Sequence, residues 1–234
     1  MVIKVLVIGD QMKTFCVVLC LLAVNAHAAE KIRYVAIGDS YSIGEGASPN
    51  ESWPAVLTRH LNENGLQVEL VANPSVTGWT TQQAIEQELP VFLNAKPDFA
   101  TIQIGVNDWV QGVGETVFRK RFSFLLDQML GVLANKKNLL VVTIPDFGVT
   151  PTGAHYANGR DISKGINRFN EIINEEATKR GLTIVDIFSL SKKMGDDKSL
   201  VASDGLHPSA KEYAEWEKII FPAALELLKP SSDR

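Results

Sequence analysis

Residues suited to nucleophilic catalysis occur in four short motifs of this chain. In chain order, the motifs are Gly38-Asp39-Ser40, the run that ends at Gly78, Gly105-Val106-Asn107-Asp108 and Asp204-Gly205-Leu206-His207. Ser40 offers a hydroxyl nucleophile, and His207 offers an imidazole that the nearby Asp204 can orient. The backbone N–H groups of Ser40 and Gly78 and the side-chain amide of Asn107 are donors that could stabilise an oxyanion. Each motif alone is typical of a turn or a helix cap, whereas the ordered set predicts acyl transfer through serine.

Apolar runs alternate with helical patterns along the chain. The predicted strands cover 32–37, 68–72, 99–104, 139–144 and 182–187, and the predicted helices cover 52–64, 80–93, 115–134, 163–180 and 209–228. Each strand is a continuous apolar run, as expected of strands buried on both faces of a parallel sheet. The repeated β-α order predicts one α/β domain, a three-layer α/β/α sandwich with a mostly parallel five-stranded sheet.

This architecture would bring distant motifs together. In open α/β sheets, ligands bind beyond the carboxyl ends of the strands. Ser40, Gly78 and Asn107 follow the first, second and third predicted strands, so we expect all three at the same rim. Residues 145–162 form a long loop that is a candidate substrate-facing segment. His60, in a helical pattern, is expected to be a solvated surface residue.

Composition narrows the classes of partner. The net charge is −4 and no basic cluster is present, which argues against nucleic acid as a partner. No group of cysteine, histidine and carboxylate residues has the spacing of a metal site, so we expect neither a metal nor a cofactor. A small-molecule ester or lipid is the expected substrate, and the sequence leaves the oligomeric state open.

Residues 1–28 have the features of an export signal. A basic start at Met12-Lys13 precedes a short apolar stretch, and Ala26-His27-Ala28 has the small-x-small pattern of a cleavage site. We therefore expect a signal peptide over 1–28, a mature domain over 29–234, and a periplasmic or extracellular location without stable insertion in the membrane. Residues 1–11 are similar in sequence to the first predicted strand and its turn but lack the serine found there at position 40. Met12 is an alternative to Met1 as the first residue of the translated chain.

The ordered motifs resemble those of the SGNH hydrolases, also called GDSL esterases/lipases. The resemblance covers residues 31 to about 228 and is greatest to the bacterial thioesterase/arylesterase/lysophospholipase branch, which has counterparts of Trp53-Pro54-Ala55, Ser75-Val76-Thr77-Gly78 and Asp204-Gly205-Leu206-His207. It implies a flavodoxin-like SGNH fold. It also implies Ser40 as nucleophile, His207 as general base and Asp204 as its orienting partner, with Gly78, Asn107 and the Ser40 amide as the oxyanion hole. Tyr41 departs from the family pattern, which has leucine at that position.

The substrate is less closely defined by the residues. Trp79 and Trp109 each adjoin an oxyanion motif, and Phe147 begins the long loop, so these three predict apolar substrate-binding surface. This favours a carboxylic ester with a short to medium acyl, aryl or lysophospholipid-type group, hydrolysed through an acyl-enzyme on Ser40. One or both tryptophans could instead pack in the core. Because tryptophan also stacks on sugars, a carbohydrate acetylesterase is an alternative, and a non-catalytic binding module on the same scaffold is another.

Overall fold

A computed structural model describes residues 31–229 of the 234-residue chain. The predicted signal peptide, residues 1–28, lies outside the described residues. No helix within residues 31–229 combines the length and apolarity needed to cross a bilayer.

The sheet has five strands, and every pair of neighbouring strands is parallel. The strands are β1 (Ile32–Gly38), β2 (Val68–Ala72), β3 (Phe99–Gln103), β4 (Leu139–Val142) and β5 (Thr183–Val185). Their spatial order is β2-β1-β3-β4-β5. This is the flavodoxin-like order, in which the direction of winding reverses between β1 and β3. The predicted parallel sheet and its five strands are confirmed.

Helices cover both faces of the sheet. They are α1 (Ser40–Ile43), α2 (Trp53–Glu63), α3 (Thr81–Gln83), α4 (Leu89–Ala95), α5 (Val106–Val110), α6 (Glu115–Val132), α7 (Ile162–Lys179), α8 (Phe188–Ser191) and α9 (Ala210–Leu228). Helices α2 and α9 pack together on one face, and α4, α6 and α7 pack on the other. The three-layer α/β/α sandwich is therefore confirmed.

The predicted helix 80–93 contains an irregularity. A π-helical segment, Ala84–Glu88, joins α3 to α4, and the Leu89 N–H bonds the Ala84 carbonyl five residues earlier. Pro90 follows at once, and its missing N–H leaves one carbonyl of the preceding turn without a helical partner. The wider turn is the usual way in which a helix accommodates such a defect. It also directs the Glu88 side chain into the interior, while Glu86 and Gln87 stay exposed.

The core lies on both faces of β1, β3 and β4. All five residues of β3 and all four of β4 are buried, which is why apolar residues predominate in both strands. The polar groups among them are paired: Tyr34 and Thr101 share a 2.7 Å hydrogen bond between hydroxyls, and Trp53 Nε1 donates to Gln103 Oε1 at 2.9 Å. These bonds fix β1, β3 and α2 relative to one another below the rim where the motifs lie.

Candidate active site

Ser40 lies on a tight turn between β1 and α1. Asp39 caps α1, and its Oδ1 accepts a hydrogen bond from the Tyr41 N–H at 3.1 Å. A Cβ added at Gly38 would lie 2.1 Å from Ser42 Oγ, so only glycine allows the chain to fold back this closely. Ser40 is 5% exposed and begins the helix, so its backbone N–H faces outward at the helix N-terminus.

His207 is held by a carboxylate within its own loop. Its Nδ1 lies 2.6 Å from Asp204 Oδ2, and Asp204 Oδ1 accepts the backbone N–H groups of Leu206 at 2.8 Å and His207 at 3.0 Å. Desolvation raises the pKa of Asp204, but the bonds from the His207 ring and the two N–H groups outweigh it and hold the pKa below its ordinary value. An ionised Asp204 fixes the tautomer that leaves Nε2 of His207 free to accept a proton.

Ser40 and His207 meet in one cavity. The cavity has a volume of about 60 Å³ and is lined by Ser40, Tyr41, Val106, Asn107, Val110, Phe147, Tyr156, Leu206 and His207. The ring of Tyr41 packs edge-on against the His207 imidazole, with centroids 6.0 Å apart. No hydrogen bond joins the Ser40 hydroxyl to His207 in the substrate-free site, a geometry that often tightens only when substrate binds.

Asn107 is oriented by a backbone carbonyl. Its Nδ2 donates to the Trp79 carbonyl at 2.9 Å, so the amide must present its nitrogen and not its oxygen to that loop. The amide carries a second N–H that this bond does not use. Gln111, at the end of α5, donates to the Gly78 carbonyl at 3.2 Å and tethers the same loop. Gly78 itself is exposed, at φ +84°, and does not line the cavity.

Asp108 anchors α5 to α3 from a fully buried position. Its carboxylate accepts the Thr81 N–H at 2.8 Å and the Thr81 hydroxyl at 2.5 Å, and Arg121 lies 3.9 Å away. Burial raises the pKa of Asp108, although the Thr81 bonds and Arg121 oppose the shift. This contact fixes the position of the helix that carries Asn107.

The structure places the two tryptophans away from the cavity, contrary to the expected substrate-binding surface. Phe147 lines the cavity, but Trp79 is half-buried in the adjacent loop and Trp109 is 5% exposed. The Trp109 ring packs against Phe147 on one side, and the Arg160 guanidinium lies 4.0 Å above its centroid. A Cβ at Gly165 of α7 would lie 1.9 Å from Trp109 Nε1, so the indole occupies space that this glycine leaves open. Trp109 is thus packed in the core and does not line the cavity around Ser40.

Several contributing residues gave no signal in the sequence. Tyr41 and Tyr156 complete the cavity wall, and Arg160 donates to the Trp109 carbonyl at 2.6 Å and the Val110 carbonyl at 3.0 Å, at the end of α5. The His60 side chain is 38% exposed, as expected near the surface, but its Nδ1 also lies 2.9 Å from Oε2 of the buried Glu217, between α2 and α9. Within residues 31–229, no group of three or more histidine, cysteine or carboxylate residues could hold a metal ion.

Fold and site together define a hydrolase with a serine, a carboxylate-held histidine and an asparagine at the switch point of a doubly wound sheet. A family model described as the GDSL-like Lipase/Acylhydrolase family matches residues 36–214. The chain therefore belongs to the GDSL-like lipase/acylhydrolase family, and it is a carboxylic ester hydrolase.

Named relatives agree with this assignment. The chain is 22% identical to Esterase TesA of Pseudomonas aeruginosa, over 91% of this chain and 96% of that protein. It is 30% identical to an arylesterase of Vibrio mimicus, over 54% of this chain and 62% of the relative. Among solved structures, a family 3 carbohydrate esterase of Clostridium thermocellum is similar in fold, with a TM-score of 0.67 and 22% identity, over 85% of this chain and 98% of the other.

The orientation of Asn107 generates a prediction about the oxyanion donors. We expect Asn107→Ala to lower kcat on p-nitrophenyl acetate by about 10²- to 10³-fold with little change in KM, because the lost donor acts on the transition state. Gln111→Ala is the comparison variant: it removes the tether at Gly78 but leaves the Asn107 amide in place, so any loss it shows measures the contribution of the loop position. Equal losses in both variants would show that Asn107 acts only by holding the loop.

Proposed function

We propose that this chain is an exported serine esterase that cleaves carboxylic esters through an acyl-enzyme on Ser40. The observation that carries the proposal is the shared cavity, in which Ser40, Asn107 and the Asp204-held His207 converge. Family membership gives the reaction class, and the cavity supports the assignment of roles to residues.

The first half-reaction forms the acyl-enzyme. His207 Nε2 accepts the proton of the Ser40 hydroxyl while Oγ attacks the ester carbonyl carbon. The resulting imidazolium is stabilised by the ionised Asp204 at 2.6 Å. His207 then donates the proton to the departing alcohol oxygen as the carbon–oxygen bond breaks. A water molecule repeats the sequence on the acyl-enzyme, with His207 as base, and releases the acid.

The negative charge on the tetrahedral oxygen is met by neutral donors. Two of them line the cavity: the Ser40 N–H at the start of α1 and the second amide N–H of Asn107. The Gly78 N–H is proposed as a third donor from the adjoining loop, although Gly78 does not line the cavity. Loss of a single donor of this kind costs about 3–4 kcal/mol in the barrier. Because the Trp79 carbonyl fixes Asn107 before substrate arrives, its dipole need not reorganise during the reaction. The site requires no metal for this chemistry.

The size of the cavity favours a short acyl group. Its volume of about 60 Å³ is far below the roughly 300–1,000 Å³ of clefts that enclose a drug-sized ligand. An acetyl or propionyl group therefore fits, whereas longer chains must displace Phe147 or Tyr156. Phe147 is 2% exposed and closely packed, while Tyr156 is 41% exposed, so Tyr156 is the wall that yields first. Short aliphatic and aryl esters are the proposed substrates, ahead of long-chain lipids.

The same cavity size supports a carbohydrate acetylesterase as the second candidate. An acetyl group fills the space equally well whether its alcohol belongs to a phenol or a sugar. The structural neighbour from Clostridium thermocellum is described as a carbohydrate esterase, although at 22% identity the likeness supports the fold alone. Acetate release from acetylated xylan that is faster than release from p-nitrophenyl acetate would favour this second function.

Export is proposed from the sequence of residues 12–28. Secreted or periplasmic material should begin at Ala29, because Ala26-His27-Ala28 presents small residues to the signal peptidase. N-terminal sequencing of protein recovered outside the cytoplasm checks this, and an intact Met1 or Met12 would contradict it.

The role of Ser40 as the nucleophile can be tested by comparing substitutions at Ser40 and at the nearby Ser42. We expect Ser40→Ala to lower kcat/KM by about 10⁴-fold or more while the unfolding midpoint stays unchanged, because the missing hydroxyl makes no hydrogen bond within residues 31–229. Ser42→Ala is the matched control. Its Oγ is buried and also lacks a partner in the described residues, yet it does not line the cavity. Near wild-type turnover by Ser40→Ala would overturn the mechanism.

Acyl selectivity can be tested at Tyr156. Wild-type activity on p-nitrophenyl esters should be highest for acetate or propionate, and Tyr156→Ala should move the maximum towards butyrate or hexanoate. Each methylene that then becomes buried contributes about 0.8 kcal/mol. Phe124→Ala is the control, because Phe124 is similarly exposed at 44% but does not line the cavity. An unchanged maximum in Tyr156→Ala would show that the acyl chain takes another path.

A further inference from the structure

Behind the turn that carries Ser40 lies a fully buried carboxyl that the proposed mechanism does not use. Glu88, the last residue of the π-helical segment, is 0% exposed. Its Oε2 accepts the backbone N–H of Gly38 at 2.9 Å, two residues before Ser40. Its Oε1 is buried and has no hydrogen-bond partner in the described residues. Glu88 also forms no ion pair with any lysine, arginine or histidine within residues 31–229.

The sheet leaves a gap at this position. The pairing of β1 with β2 ends at Val35 and Ala72, whereas the pairing of β1 with β3 continues to Gly38 and Gln103. The end of β1 therefore projects beyond its neighbour on the β2 side. A buried backbone N–H without an acceptor is costly, and Glu88 supplies the acceptor that a longer β2 would have supplied.

The π-helical segment is what makes this contact. Ala84 and Glu88 are both buried, while the two residues before Glu88 face solvent. In a regular α-helix the side chain of residue 88 would point in a different direction. The wider turn before Pro90 is what directs Glu88 inward. π-Bulges are frequent at functional sites, and the side chain of the last residue of this one binds the turn that carries Ser40.

We propose that Glu88 is a positioning residue for the nucleophile, whose neutral carboxyl holds the Gly38 amide and with it the turn that carries Ser40. The inference rests on the proposed role of Ser40. An isolated carboxylate with no cation and an unpartnered oxygen is expensive to bury, so the neutral form is favoured. Glu88 does not touch substrate and acts only through Gly38.

The charges around Glu88 favour the same protonation state. Burial raises the pKa of Glu88 to about 8, with the Gly38 bond opposing the shift and Asp39 adding to it. Burial likewise raises the pKa of Asp39 to about 8, and Asp108 of α5 adds to that shift. From α6, Arg121 lies 3.9 Å from Asp108, and it forms no ion pair with Glu88. Ionisation of Glu88 above about pH 8 would thus place a charge beside Asp39.

The sign of the effect on stability follows from these values. The pKa of Glu88 is higher in the folded state, about 8, than its ordinary value of 4.5. The stabilisation from its neutral form is complete below about pH 4.5 and is lost as the pH rises to about 8. Activity should fall on the alkaline side for the same reason, because ionisation strains the turn that carries Ser40.

The test uses Glu88→Gln, Glu88→Ala and the matched control Glu86→Gln, which alters an exposed carboxylate in the same π-helical segment. Turnover of p-nitrophenyl acetate is measured from about pH 6 to about pH 9.5, and the free energy of unfolding from about pH 5 to about pH 9. Glutamine still accepts the Gly38 N–H but cannot ionise. We expect Glu88→Gln to keep kcat within about threefold near neutral pH, and to weaken both the alkaline decline and the dependence of stability on pH, with the remainder due to Asp39.

Glu88→Ala should lower kcat about tenfold or more with KM changed less than about threefold, because a displaced nucleophile impairs chemistry more than binding. Glu86→Gln should match the wild type throughout. Identical pH profiles for Glu88→Gln and wild type would overturn the proposal, whether or not Glu88→Ala folds. If the wild type hydrolyses no ester, the proposed function fails, while the unfolding data still decide the protonation state of Glu88.

Discussion

The register between β1 and β3 is the constraint on which the site depends. The two strands run parallel with Gly38 opposite Gln103, so both strands end at the same level of the sheet. Ser40 follows β1 by two residues and Asn107 follows β3 by four. The winding direction reverses between these strands, so their connections move to opposite faces and leave a crevice above the sheet. A shift of one residue in this pairing would change the level at which the two chains leave the sheet and so separate the proposed nucleophile from its proposed oxyanion donor.

Carboxyl groups hold the loops around that crevice. Each accepts hydrogen bonds from backbone N–H groups that the sheet and helices leave unpaired. Such a bond contributes about 0.5–1.5 kcal/mol, or about 1.5–3 kcal/mol where the carboxyl is ionised, as in Asp204. These carboxyl groups are Asp39 at the Tyr41 N–H, Asp108 at the Thr81 N–H, Asp146 at the Gly148 N–H and Asp204 at the N–H groups of Leu206 and His207. These bonds hold the loops of the rim against the neighbouring helices. Asn107 and His207 are oriented by bonds within those loops, to the Trp79 carbonyl and to Asp204.

The same construction limits the size of the cavity beside Ser40. Trp109 faces α7 and is covered by Arg160, whose guanidinium also binds the last carbonyls of α5. The tryptophan thereby stabilises the helix that carries Asn107 and leaves Phe147 and Tyr156 as the aromatic wall. Because Phe147 packs between Trp109 and Tyr156, the cavity is bounded on that side by the core itself. The cavity is small as a consequence.

Local patterns were enough to predict the sheet, the main helices and the motifs at the rim. Largely apolar runs such as 99–104 indicate strands buried on both faces, and the β-α order restricts the topology. The sequence alone therefore predicts that Ser40 and Asn107 lie close together. The positions of Trp109, His60 and Glu88 could not be predicted in this way. Each position depends on a contact with a segment far away in the chain. Trp109 fills the space beside Gly165, His60 contacts the buried Glu217, and Glu88 binds the N–H of Gly38, which lies beyond the end of β2. Periodicity describes which side of an element faces inward, whereas the partner met there is decided by packing between elements far apart in the chain.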